Sequence, residues 1–326
     1  MTNGIPRRLA QAVVVLWAAF TLSFVILYLL PGDAVLAKLG GGDGGSTLTA
    51  ADVAREHAAL GLDDPVVVQY GKRLLAAVQG DFGRSIASGE DATTLVLNAL
   101  PSTLSITGLG LLFAVVFGGA IAILGTYTRS RWLSQFLASL PPLGNSLPTF
   151  WVGLVLIQIF SFNLGWVPAL GSDGFSALVL PAVTLALPTG AIIGQVLAKS
   201  LRTQLDEPYV EVVLAKGASR ARVHFGHVLR NAALPALTLV GVLAGNLLAG
   251  SVITESVFSR DGIGRVTASA VSAQDIPVVQ AVIVLAALFF VVLNLAVDLL
   301  YPVLDPRLAG RVTAKAQSRG KAVSGV

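Results

Sequence analysis

The sequence predicts an all-α membrane protein with six transmembrane helices, both termini cytoplasmic, and a long polar cytoplasmic loop between helices 4 and 5. Three observations carry this. The 326 residues are 54% hydrophobic and 12% charged, about half the charged share of a soluble domain, and the mean hydropathy is +0.78. Charged residues divide the chain into six uncharged windows: 9–32, 92–128, 132–172, 174–198, 231–254 and 276–297. Each is longer than the ~20 residues a helix needs to cross the hydrocarbon. With the N-terminus inside, 15 of the Lys and Arg residues fall in inside segments and 7 outside, the asymmetry that orients multi-pass proteins.

Residues 1–8 form a short cytoplasmic N-terminus in which Arg7-Arg8 precede an apolar run from Leu9 to Leu30. That run is longer than a secretory h-region, and Pro31-Gly32-Asp33 is no small-x-small cleavage site, so it reads as a retained first span. The extracytoplasmic segment 31–98 opens on the Gly-rich stretch Gly40–Gly45, a flexible loop. A short helix is expected over Thr49–Leu60, an amphipathic one over Val66–Val78, and a turn at Gly80–Ser85. Between Asp33 and Asp91 there are nine acidic residues against five basic ones. Window 132–172 holds one expected span, about 134–160, because Pro141, Pro142, Asn145 and Pro148 break its first half. A second span there would put Lys199–Arg230 outside, against the charge rule.

Small residues recur every fourth position in spans two, four and five. They are Gly110, Ala114, Gly118, Ala122; then Ala182, Ala186, Gly190, Gly194, Ala198; then Gly241, Gly245, Ala249. Such seams let helix backbones approach closely where lipid gives no apolar driving force. Pro181 and Pro188 free carbonyls in span four, a break tolerated where a helix faces protein or water. Gln195 and Asn246, with Thr184, are the few polar groups deep in these spans. Gly190, Gly194, Gln195, Gly241, Gly245 and Asn246 are therefore candidates for helix packing or a translocation path.

The polar island 199–233 follows span four. Pro208–Ala215 suits a short helix with Tyr209, Val212 and Val213 on an apolar side. Gly217 stops it by supplying a left-handed residue. A second helix is expected from Ser219 through Val223, His227 and Leu229 up to Pro235. Two short helices around a glycine make a knuckle able to dock in a groove of another protein.

Glu211-Val212-Val213, three residues, then Gly217 resembles the Glu-Ala-Ala-x-x-x-Gly signature of permease subunits of ABC importers, with valines in place of both alanines. Tyr209-Val210, Ala215-Lys216-Gly217, Leu229-Arg230-Asn231-Ala232 and Pro235 are similar to the dipeptide/oligopeptide/nickel branch. So are Pro31-Gly32-Asp33, Leu60–Pro65, Gly80–Ser85, Thr254–Phe258, Gly262-Ile263-Gly264-Arg265, Gln274–Gln280 and Asp305-Pro306-Arg307. The resemblance covers residues 7–308. It implies an importer transmembrane domain over 9–308, followed by a cytoplasmic tail, 309–326, expected to be disordered. It also implies a coupling helix on a cytoplasmic ATPase, with Glu211 and Gly217 shaping the knuckle. Tyr209, Val212 and Val213 would give the apolar contact, and Lys216 and Arg220 the polar rim. The implied partners are a second homologous permease, two ATPase subunits and an extracytoplasmic substrate-binding protein, in the cell (inner or plasma) membrane. The implied substrate is a di- or oligopeptide; relatives handling nickel chelates, haem or glutathione leave those as alternatives.

The rival classes lack their chemistry. No phosphate-binding Gly-x-x-x-x-Gly-Lys-Ser/Thr is present, so ATP and Mg are expected on the partner ATPase and no cofactor on this chain. No charged residue sits mid-span, against a proton- or sodium-coupled transporter. His57, His224 and His227 lie outside the expected spans, so no base serves an intramembrane enzyme and no catalytic residue is assigned. His224 and His227 lack a third metal ligand nearby. The absence of cysteine excludes disulfides. The pI near 9.6 reflects bases scattered through loops, and no nucleic-acid partner is expected.

Overall fold

The structure is a computed structural model that describes residues 5–29, 64–172 and 174–304. The Gly-rich loop, the helix expected over 49–60 and the tail 309–326 lie outside the described residues. In chain order the helices are α1 (Ile5–Leu29), α2 (Val66–Val78), α3 (Ala92–Tyr127), α4 (Arg131–Ser146), α5 (Thr149–Leu156), α6 (Ser176–Leu205), α7 (Pro208–Ala215), α8 (Leu229–Val257), α9 (Ile263–Ser272) and α10 (Ile276–Leu304). π-helical turns extend α5 over Ile157–Asn163 and lead into α8 over Arg222–Val228. Among the described residues there is no sheet, only an isolated bridge between Arg84 and Asp91.

The expected count of six spans is corrected. Among the described residues four helices are long and apolar enough to cross a membrane: Ala10–Leu27 within α1, α3, α6, and α8 with its π turn. A fifth is reached only if α4 and α5 with its π turn are taken as one span, and these bend by 106°. The break has a local cause. Pro148 pushes the residue before it out of helical geometry, and Leu147 is extended at φ −86°, ψ 132°. The single span expected over 134–160 is therefore two pieces. The described apolar stretch of α10, Ile276–Val292, falls among the shorter apolar helices.

The polar island is also more helical than expected. α6 runs on to Leu205, and the second short helix, expected to stop at Pro235, instead continues through its π turn into α8 with Pro235 inside it.

Helix ends follow short-range chemistry. Asp91 begins α3, accepting the Thr94 N–H at 2.7 Å. That bond, more than any other influence, holds its carboxyl below the ordinary carboxylate pKa. Ser130 caps α4 by accepting from Leu133. Pro208 opens α7 at its first turn, where its missing N–H costs nothing.

Two compact units result. One comprises α1, α2, the loop to α3, the first part of α3 to Ile106, Gly165–Leu178 and Ser251–Val291. In it Tyr70 sets its ring edge on Phe20 and Phe24 at 5.8 and 5.3 Å and its hydroxyl 2.9 Å from Thr21, tying α2 to α1. Phe82, Val96, Val278 and Val282 centre its core. Buried Asp275 accepts from Ser85 and from the Ile86 and Ala87 N–H groups, fastening the 80–91 loop to the start of α10. The second unit holds Thr107–Leu164 and Val179–Gly250. Two apolar clusters fill it, one around Ala114, Ala186, Ile193 and Leu243, the other around Leu197, Leu201, Val210, Val223 and Val228.

Candidate functional site

The segment Leu205–Val228 is a knuckle seated on its own apolar base. α7 ends in a paired cap: Gly217 N–H donates to Leu214 O at 2.9 Å and Ala218 N–H to Val213 O at 3.3 Å. That pattern needs a left-handed residue, and Gly217 has φ +84°. A side chain at Gly217 would meet nothing within 4 Å, so the constraint there is backbone conformation alone. Gly217→Ala is expected to cost about 1–2 kcal/mol, and Gly217→Asn less, because asparagine visits this conformation. Comparative thermal unfolding of the two variants in detergent reads this; equal melting of both with the wild type would refute it.

The structure divides the residues expected on the apolar docking side. Val210 is buried, and Tyr209 and Val213 pack inward with it against Leu197, Leu201, Val223 and Val228. The Tyr209 hydroxyl also donates to Gln204 Oε1 at 3.2 Å. Val212 is 54% exposed and Leu214, on the other flank of α7, 46%, with Glu211 and Lys216 exposed. Leu214 was absent from the sequence-based set; two residues on from Val212, it projects from the opposite flank of the short helix. Arg220, exposed, holds its guanidinium 5.3 Å from the centre of the Tyr127 ring, a cation–π contact. His224 is buried against the same Tyr127 ring at 5.3 Å.

A second feature is the seam between α3 and α6. A methyl on Gly190 would come within 3.0 Å of Ala114 O, and one on Gly194 within 3.1 Å of Gly118 O. A methyl on Gly118 would overlap the Gly190 carbonyl oxygen. The two backbones touch along Gly110, Ala114 and Gly118 against Ala182, Gly190 and Gly194. Gly241 and Gly245 on α8 are half-buried, and Gln195 and Asn246 are exposed.

The third feature escaped the sequence reading. Glu255, near the end of α8, is fully buried. It accepts the Thr103 hydroxyl at 2.6 Å and the N–H groups of Gly264 at 2.7 Å and Arg265 at 3.4 Å. Thr103 Oγ1 accepts the Ile263 N–H at 2.9 Å. The N-terminus of α9, with no cap of its own at Gly262, is thus capped by side chains from α8 and α3, and a carboxylate there also meets the positive end of the helix. Side chains on Gly262 or Gly264 would overlap the Glu255 carboxylate or Val252. The Gly-x-Gly spacing seven residues after a glutamate was the available signal.

Arg260, also buried, donates to Gly171 O and Ala177 O, both at 3.1 Å. Pro181 has no N–H to offer the carbonyl four residues back, which is Ala177; the arginine supplies the missing donor. Burial lowers the guanidinium pKa, against the opposing pull of Glu255 and Asp261, and an arginine stays charged regardless.

Residues 110–310 match the family model described as binding-protein-dependent transport system inner membrane component, and residues 1–107 match its N-terminal companion model. The chain is 35% identical over 308 residues to the glutathione transport system permease protein GsiC of Escherichia coli (strain K12) and to that of Salmonella typhimurium (strain LT2). Each alignment covers 94% of this chain and 99% of the relative. Among solved structures, a chain of the MetNI methionine ABC transporter in an inward-facing conformation superposes with a TM-score of 0.56 at 17% identity. It covers 65% of this chain and 96% of that one, a likeness of fold alone.

Proposed function

Because this chain belongs to the family of binding-protein-dependent transport system inner membrane components, as a permease subunit of an ABC-type importer, we propose that it passes a small glutathione-like solute across the membrane. The identity with glutathione permeases, spread over 94% of the chain, carries this reading. It displaces the di- and oligopeptide substrate expected from the sequence in favour of the glutathione alternative. The two are chemically close, since glutathione is itself a modified tripeptide.

In this reading the chain pairs with a second permease, receives solute from an extracytoplasmic binding protein, and rests on ATPase subunits that hold ATP and Mg. α7 is the contact with the ATPase. Val212 and Leu214 enter the partner's groove, and Glu211, Lys216 and Arg220 form the rim. Tyr209, Val210 and Val213 face the other way, clamped on α6 and on the start of α8. A push on α7 is therefore carried into both long helices, because a packed cluster moves as a body rather than deforming. Glu211 and Gly217 act through the shape of the knuckle.

Two experiments test this. The assembly, reconstituted in vesicles with its binding protein, is expected to hydrolyse ATP faster with glutathione than with a dipeptide or a nickel chelate; stimulation by the dipeptide alone would return the substrate to the peptide class. The double substitution Val212→Asp/Leu214→Asp is expected to lower ATPase copurification more than tenfold, since burying each apolar side chain contributes about 1.5–3 kcal/mol. Tyr209→Phe is expected to leave copurification unchanged. Normal ATPase retention in the aspartate variant would remove α7 from the contact.

A further inference from the structure

The second unit contains a cavity of about 130 Å³ among α3, α4 and α6. Ile121, Leu137 and Pro141 give it apolar walls, while Lys199 and Arg202 stand at its edge on α6. These two cations are three residues apart, hence on one helix face, where like charges repel. Both are exposed, and among the described residues neither lies within ion-pair distance of a carboxylate. Arg202, in the last turn of α6, is accounted for by the negative end of the helix dipole. Lys199, a turn earlier, is not.

α3 and α4 cannot supply the counter-charge, because no Asp or Glu occurs anywhere between Asp91 and Asp173; Asp206, four residues beyond Arg202 at the end of α6, forms no ion pair with either cation among the described residues. The turn from α3 to α4 instead adds exposed Arg129 and Arg131. Lys199 and Arg202 are thus left open to an anion from outside the chain. α4 also says at what depth. Trp132, 74% exposed, stacks on exposed Phe136 with ring centres 5.7 Å apart, and aromatic rings of this kind settle at the level of lipid headgroups. A soluble anion would require the cations but not the apolar walls or the aromatic neighbours. A phospholipid requires all three.

We propose that this cavity binds an anionic phospholipid, its phosphate between Lys199 and Arg202 and its first carbons against Ile121, Leu137 and Pro141. Basic pockets between membrane helices recognise such headgroups. The site lies beside the polar island but does not depend on the assignment of α7 or on the solute carried.

The test uses the full chain, purified with its partners and offered equal phosphatidylglycerol and phosphatidylethanolamine in detergent, with bound lipid counted by native mass spectrometry. Phosphatidylglycerol is expected to be retained in preference, and Lys199→Gln/Arg202→Gln to lower its retention by roughly tenfold or more. The charge-preserving Lys199→Arg/Arg202→Lys variant is expected to keep it, and excess inorganic phosphate to leave it bound. Equal retention of both lipids, or undiminished phosphatidylglycerol in the glutamine variant at an unchanged melting temperature, overturns the proposal. So does displacement by inorganic phosphate, which would make the cavity a site for a free anion.

Discussion

Gly118→Ala is expected to lower the stability of this protein by about 3 kcal/mol, the upper part of the range for overpacking a tight interior. The added methyl would overlap the Gly190 carbonyl oxygen and stand 3.1 Å from both the Gly190 carbonyl carbon and the Gly194 nitrogen. All of these are main-chain atoms. A flexible side chain could swing aside, but here relief requires α3 and α6 to separate, which opens the seam along its length. The neighbouring Gly119 is the control. A methyl there meets nothing within 4 Å, so Gly119→Ala is expected to be neutral or to stabilise by up to ~1 kcal/mol through reduced unfolded-state freedom. Thermal unfolding of the two full-length variants in detergent decides the matter. If Gly118→Ala melts with the wild type, or Gly119→Ala melts as low as Gly118→Ala, the backbone contact is not where we place it. In vesicles, Gly118→Ala is expected to lose transport along with folded protein.

Glu255→Ala is the other large effect, about 3–5 kcal/mol. It removes the acceptor of the Thr103 hydroxyl and strands the N–H groups of Gly264 and Arg265, at about 1–3 kcal/mol for each buried N–H left without an acceptor. The α9 N-terminus also loses the negative charge beside it. Glu255→Gln keeps the shape and one acceptor oxygen. Its amide then faces a donor, so a smaller loss of about 1–2 kcal/mol is expected. Thr103 links the same network, because it donates to Glu255 and accepts from Ile263. A double-mutant cycle of Glu255→Gln with Thr103→Val should therefore show losses well short of additive. Additive losses would mean that the two side chains act separately and that α9 is not capped by the pair.

Much of the second unit was legible. The four-residue spacing of small side chains in 110–122 and 182–198 marks a close helix contact by composition alone, and the structure brings Gly118 against Gly190 and Gly194. The stop of α7 at Gly217 was legible too, because a left-handed cap is a property of a few consecutive residues. The span count was not. The prolines of the third window signalled a break, but the charge rule argued for one span, and the chain bends by 106° at Pro148 instead. The direction in which α7 faces was equally hidden. Tyr209, Val212 and Val213 all read as one apolar side, and the cluster beneath takes Tyr209 and Val213 while leaving Val212 and Leu214 exposed.

What the sequence determined by itself is the membrane class, the family, the stop of α7 at Gly217 and the small-residue seam. Each is written in composition or in residues within a turn or two of one another, where backbone geometry and hydropathy act directly. Only the tertiary structure decided which of two adjacent glycines is indispensable, which side of α7 is free for a partner, and that Glu255 caps a helix not its own. Those depend on partners far along the chain, 152 residues in the case of Thr103 and Glu255. No local preference encodes such a pairing; it exists once the packed helices bring the two side chains within hydrogen-bond reach.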